Sequence, residues 1–594
     1  MNRQTTTPFA GTCFNCDQAY HHSDHRPTWR GPDLIKGKTT RHGATELPII
    51  RGETGIMRAA KGILFAFLFS MLASPLCAQA TYTAKSCNQS DVNAFINGPT
   101  HTAINGDVIR IPSGSCTWTS GITVASGVGI TIIGSGTPNT SASTTGASSS
   151  CTATVITDNS NSNIFRLRPA ASSFLCRISC MKIRTDNASS ITAPFAAAGT
   201  CNSTTCPNLR IDNVTFDSSL QGMTADSGSL NLTDNVFGVI DHNTVSPGSI
   251  SKVGMEFITY NNSSWNGVGA YGDNSWASPD SFGTARTLYL ENNSWGAGVV
   301  IGETEAQVPN GGQGGGRIAA RFNICNGCLS GLSNHGTDSN GRPRGGRQIE
   351  FYGNTLICTN TSGGCQGGVP IRSGVNIMFG NTFTIGPGSW WNQYMALNAF
   401  RVNVIWASPW NQCNGSGPYD DNSVSPPICI DQPSRSGGTL LSGSSPTPIG
   451  WVNESLDPSY EWNDSGYKPV FGNVTSDYAQ IVANRDWYSD NSAGTPHVQT
   501  SPPSPFNGTS GVGLGTLPNR PTTCTPRVGY WAMDQGSWNQ GGNSFGQGEL
   551  FVCTAPNTWT LYYTPYTYPH PLAATGGTGG VTVNPPTNLQ TVAQ

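Results

Sequence analysis

The segment 334–355, NHGTDSNGRPRGGRQIEFYGNT, gathers ionisable side chains in a chain that has few of them. It carries His335, Asp338, Arg342, Arg344, Arg347 and Glu350, with Tyr352 close behind. Arginines packed this densely suit carboxylate recognition, because a guanidinium is a planar fork that matches a carboxylate in a bidentate way. A uronic-acid polymer offers one carboxylate per sugar. Cleaving it by β-elimination requires that the carboxylate be neutralised, which acidifies the neighbouring C5 proton, and that a base remove that proton. Arg342, Arg344 and Arg347 are candidates for neutralisation. His335 or an arginine is the candidate base, and Tyr352 the candidate proton donor. Asp338 and Glu350 could hold Ca²⁺ through oxygen ligands or orient the arginines. The glycines of the segment let its backbone approach a ligand closely.

These side chains need a frame, and the surrounding sequence supplies a repeating one. Short apolar stretches end again and again in Asn plus a large residue. They are IDNVTF (Asn213, Phe216), TDNVF (Asn235, Phe237), LYLENNSW (Asn293, Trp295), ARFNIC (Asn323), FYGNTL (Asn354, Leu356) and MFGNTF (Asn381, Phe383). From Asn293 the steps are 30, 31 and 27 residues. Irregular periods of this size fit a solenoid whose coils carry loops of varying length. Asn tolerates a tight, left-handed bend, and stacked Asn side chains can hydrogen-bond from coil to coil. Aligning the coils on these asparagines puts Leu288, Ile318 and Ile349 in one buried row and Leu290, Ala320 and Phe351 in another. Strand alternation then turns Glu291, Arg321, Tyr352 and Glu350 outward. They form a polar column at roughly 4.8 Å per step, into which the 334–347 loop leans. Glu291 and Arg321, with Arg372 on the next coil and Arg342, are the expected substrate contacts.

The opening of the repeat region is specific. CNQSDVNAFIN places Val92, Phe95 and Ile96 on one side of a short helix, followed by the strands of GDVIRIPSGSCTW and GITIIG. A helix before the first strand covers an open sheet edge. This N-terminal unit resembles that of the right-handed parallel β-helix proteins of the pectate-lyase-like group. The resemblance implies an all-β, right-handed parallel β-helix over roughly residues 85–385. It also implies, for the lyases among them, chemistry on the outer face of a parallel sheet, with Arg or Lys as base and often Ca²⁺ on the uronate. The catalytic set does not carry over residue by residue. There is no Asp cluster like the calcium site of pectate lyases, and NHG is only a fragment of the hydrolase pattern.

Composition agrees with an ordered, turn-rich β protein. Of 594 residues, 11% are charged and 9% aromatic, 72 are glycine, and the net charge is −3. A disordered chain has the opposite balance, and no basic stripe points to nucleic acid. Met57–Lys61 is basic, Gly62–Leu76 is apolar, and Ala78–Ala80 is a small-x-small site. Residues 57–80 therefore read as a secretory signal peptide, with no membrane span in the mature protein. Residues 1–56 read as an extension upstream of the true start, and Cys13, Cys16 and the histidines within it as no real metal site. The β-helix domain is expected over 81–575, with long loops from about 386 and a Gly/Pro-rich tail over 576–594. Export permits disulfides. Close pairs such as Cys87 and Cys116, or Cys524 and Cys553, are candidates, while Cys151, Cys176 and Cys180 leave one over. The functional reading is a secreted protein that binds and cleaves an acidic polysaccharide by β-elimination. Its rivals are a non-catalytic surface or adhesion protein and a hydrolase with paired carboxylates such as Glu291 and Glu350.

Overall fold

The computed structural model describes residues 79–160, 162–170, 174–185, 195–198, 206–217, 230–233, 236–246, 253–257, 282–296, 299–301, 316–326, 346–358, 369–371, 373–385, 395–397, 433–436, 455–466, 483–490 and 503–574. Within them the chain is a parallel β-helix. Three parallel ladders form its faces. Face one climbs through Val108–Arg110, Thr131–Ile133, Cys176–Thr185, Cys206–Asp217, Val236–Asp241, Leu288–Glu291, Arg317–Arg321, Gln348–Tyr352, Val375–Phe379, Ser459–Trp462 and Trp487–Ser489. Face two continues each coil past a sharp corner, from Gly114–Trp118 to Ser465–Gly466. Face three holds six shorter strands, from Ile122–Thr123 to Val299–Ile301. The helix Gln89–Asn93 buries Val92 at the start, with Ile96 just beyond its end.

The register of face one is the one the asparagine alignment predicts. Leu288, Ile318 and Ile349 stand in one row, and Leu290, Ala320 and Phe351 in the next. Both rows point into the bore and belong to the main core. Burying each large apolar side chain there contributes about 1.5–3 kcal/mol. Further along the bore turns polar. Ile349 is followed by Asn376, and Met378 by Glu461 and Ser489.

The corner between faces one and two carries an amide ladder. Asn293, Asn323, Asn354 and Asn381 each receive the backbone and side-chain N–H of the asparagine one coil before, Asn243 heads the row by accepting the Val214 N–H, and the row ends on Asp464. The left-handed residue is not the ladder asparagine but its predecessor. Asn213, His242, Asn292, Phe322, Gly353, Gly380 and Asn463 hold φ between 52° and 65°. Asn213 therefore sits one place ahead of the ladder rather than in it, and Asn235 lies outside the described residues. A bulky Phe at φ 57° is costly. Phe322 is held there by packing on Tyr568, 4.2 Å between ring centres, and on Phe545.

The C-terminal part is a module rather than only loops. Val512–Gly515, Gly529–Ala532, Glu549–Ala555 and Thr558–Tyr563 make a four-stranded sheet. One side packs Trp531, Leu550 and Tyr563 onto the outward side of face one, against Ile377, Phe379, Tyr460 and Trp462. Residues 564–574 then run back along that face. Disulfides join Cys87 to Cys116, Cys151 to Cys180 and Cys524 to Cys553, leaving Cys176 as a buried thiol. Such bonds belong to an oxidising compartment. Among the described residues no helix is long and apolar enough to cross a membrane. The expected signal peptide, the upstream extension and the 576–594 tail lie outside the described residues.

Candidate functional site

The outward column exists in the expected register, but it is not open. Glu291, Arg321 and Tyr352 are successive neighbours, and Glu350 stands in the adjacent row beside Ala319. All four are buried. The expectation of a solvent-facing furrow is overturned by the segment 563–574, which lies over it. Arg321 donates to Glu291 Oε2 at 2.8 Å, to Tyr352 Oη at 3.0 Å, and to the carbonyls of Tyr566 and Thr567 at 2.6 and 2.9 Å. Its guanidinium also lies over the Tyr289 and Tyr568 rings. The His570 N–H donates to Glu291 Oε1, and Tyr568 Oη donates to Asn292 Oδ1. Glu350 accepts from the Gly283 N–H and from Tyr563 Oη, at 2.9 and 2.7 Å.

Burial sets the protonation of this column. Loss of solvent pushes Glu350 up to about 7, against the opposing pull of its two donors and Arg321. It also raises Glu291, despite the Arg321 contact. The Tyr352 phenol is pushed up by burial too, which makes it a poorer acid than a free tyrosine. Burial, with the nearby Arg321 and Arg210 charges, pushes the His570 pKa well below the ordinary imidazole value.

Upstream the same column continues as a charge network that the sequence reading missed. Arg177 grips Asp212 bidentately at 2.6 and 2.7 Å, and Arg210 grips Asp241 at 2.9 and 2.9 Å. Arg210 also donates to the Leu572 carbonyl, and His242 Nδ1 meets Asp241 at 2.9 Å. Burial opposes it, yet Arg210 and Arg177 hold the Asp212 carboxyl well below the usual range. Burial likewise opposes a charged His242, but the Asp241 contact raises its pKa. Extending the asparagine alignment by two coils would have found Asp212 and Asp241, since both pair directly along the column toward Glu291. Tyr563, Tyr568 and His570 carry no such signal, because nothing periodic links them to the coils.

The described members of the expected site are engaged within the protein. Tyr352 is committed to Arg321, and Glu350 turns its oxygens to Gly283 and Tyr563 rather than to an open cation position. Glu291 and Arg321 hold the C-terminal segment, where substrate contacts were expected. Among the described residues no group of three or more His, Cys, Asp or Glu is placed to hold a metal. Arg347 opens its rung at the edge of face one, buried, with its N–H on the Gly316 carbonyl at 3.0 Å. Arg317 and Arg435 are equally buried near the same edge, and Arg435 and Arg485 both contact Asp486. His335, Asp338, Arg342, Arg344 and Arg372 lie outside the described residues.

No family model matches the chain, and no curated protein matches it. Among solved structures, it is similar to an alginate lyase from Paenibacillus sp. str. FPU-7, at 12% identity and a TM-score of 0.27, over 52% of this chain and 96% of that one. It is also similar to ORF18 of Geobacillus virus E2, at 12% identity and a TM-score of 0.25, over 80% of this chain and 72% of that one. Likeness of this strength carries no argument about activity.

Proposed function

We propose that the protein is an exported, disulfide-stapled β-helix that binds an acidic, uronate-containing polysaccharide. The supporting observation is the cationic edge of face one. Arg317, Arg347 and Arg435 lie there, and Asp486 is the acid that the described residues place in contact with Arg435. In sequence, His335, Arg342 and Arg344 shortly precede Arg347. In this reading those three residues make the substrate contacts, and β-elimination, with or without Ca²⁺, is the reaction they would serve.

A second reading is a non-catalytic surface protein. It is favoured by the engagement of Tyr352, Glu350, Glu291 and Arg321 in holding the C-terminal segment, which also occupies both carboxylates of the Glu291–Glu350 pair. One experiment separates the readings. The mature protein is incubated with pectate, alginate and glycosaminoglycans, with and without Ca²⁺, while binding and absorbance from unsaturated uronate are followed. Binding with absorbance supports the lyase, and His335→Ala should then abolish the absorbance signal. Binding alone supports the surface protein. Absence of binding to every acidic polymer at low salt overturns the proposal.

A further inference from the structure

The C-terminal sheet has a second side, turned away from the solenoid. Tyr530, Phe551, Trp559 and Leu561 share it by strand alternation, with Tyr530 opposite Phe551, Phe551 opposite Leu561 and Cys553 opposite Trp559. Leu561 is 49% exposed, and Phe551 and Trp559 are partly exposed. Across this side lies Arg520, its guanidinium 4.5 Å from the Phe551 ring centre and 5.6 Å from that of Trp559. The carboxylates of the described residues make no ion pair with it, and its buried Nη1 has no hydrogen-bond partner.

The loop that carries Arg520 is fastened on both sides. The Leu517 N–H donates to Asp534 Oδ1 at 2.7 Å, Trp559 Nε1 donates to the Pro521 carbonyl at 2.7 Å, and Cys524 is bonded to Cys553. An arginine held against aromatic rings has less freedom to lose when its N–H donors meet a ligand. Fixing it in advance lowers the ordering cost of binding. A guanidinium without a counter-ion beside exposed apolar surface is matched by a ligand that is anionic on one edge and apolar on another. A uronic-acid ring has this character, with its carboxylate in one plane and C–H groups on its faces.

We infer that Arg520, Trp559 and Leu561 form a carbohydrate subsite on the C-terminal sheet that takes the carboxylate and C–H face of a uronate residue. This inference rests on the acidic-polysaccharide reading above and places a contact far in sequence from the 334–347 segment.

The test measures binding of the full chain to polygalacturonate, to alginate and to carboxyl-reduced versions of each. Arg520→Ala should weaken binding of the acidic polymers roughly two- to fivefold, the loss of one ion pair, and flatten its salt dependence. Leu561→Glu changes an exposed residue, so the fold should survive, and its carboxylate should weaken the same binding by repulsion. Arg520→Lys, which keeps the charge without the planar fork, should fall between wild type and Arg520→Ala. The subsite is overturned if Arg520→Ala and Leu561→Glu bind like wild type while Arg342→Ala binds weakly, and the main reading then stands. It is also overturned if carboxyl-reduced polymer binds as tightly as the acidic form. A wild type that binds no acidic polymer overturns the subsite and the main reading together.

Discussion

Glu350 shows how one buried carboxyl ties the solenoid to its C-terminal module. Its two oxygens accept from Gly283 and Tyr563, and burial lifts its pKa from an ordinary 4.5 to about 7. A carboxyl raised on folding contributes fully below its unfolded value, and that contribution fades as pH climbs through the folded one. The wild type should therefore lose stability between about pH 5 and pH 8 through this residue. Glu350→Gln keeps an acceptor for Gly283 and a partner for Tyr563 but cannot ionise. Its unfolding free energy should equal the wild type's near pH 4.5 and exceed it at pH 8.5 by on the order of 3 kcal/mol at the pKa difference cited, seen as a higher melting temperature. Parallel melting curves at the two pH values would show that Glu350 is not the titrating group. Inside the bore, burial and the nearby Asp464 and Asp490 carboxylates push Glu461 up as well, and burial raises Asp464.

At the scale of the coil, the amide ladder decides which rungs can stack. Asn354 donates to the Ala320 carbonyl, and its Oδ1 accepts both N–H groups of Asn323. Asn354→Ala should cost roughly 3 kcal/mol or more, because it strands buried donors and a carbonyl at once. Chemical denaturation checks it, and a loss below about 1 kcal/mol would mean that the ladder is ornamental. This row was legible in the sequence from Asn293 to Asn381, where coils differ by at most a few residues. His242–Asn243 escaped notice because the next coil lies 50 residues on, at Asn292–Asn293. Asn213 misled, because asparagine is as welcome in the left-handed corner as in the ladder beside it. Two disulfides, Cys87–Cys116 and Cys524–Cys553, were visible as neighbouring pairs, and the Cys151, Cys176 and Cys180 ambiguity resolves with Cys176 left over. Strand alternation correctly separated inward from outward side chains. It could not say whether outward meant water, since the aromatic cover arrives from more than 200 residues away, as in the Tyr563 to Glu350 bond.

At the scale of the molecule, the returning segment makes the polar column structural. Arg210 reaches the Leu572 carbonyl, Arg321 those of Tyr566 and Thr567, and Glu291 the His570 N–H. A chain ending before Thr564 would leave these buried charges short of partners, an expensive state. Such a truncation should lower the melting temperature markedly and increase binding of an apolar dye. An unchanged transition would make the segment dispensable. Stacked-coil proteins usually hold each unit only by its neighbours, so a pull on one end peels them in turn. Here a single strand is stitched to the rungs of Arg210, Glu291, Arg321 and Glu350 together. Tension applied through the C-terminus is thus shared across several rungs in shear, and the rod should yield in one large step at high force rather than unravel like a zip.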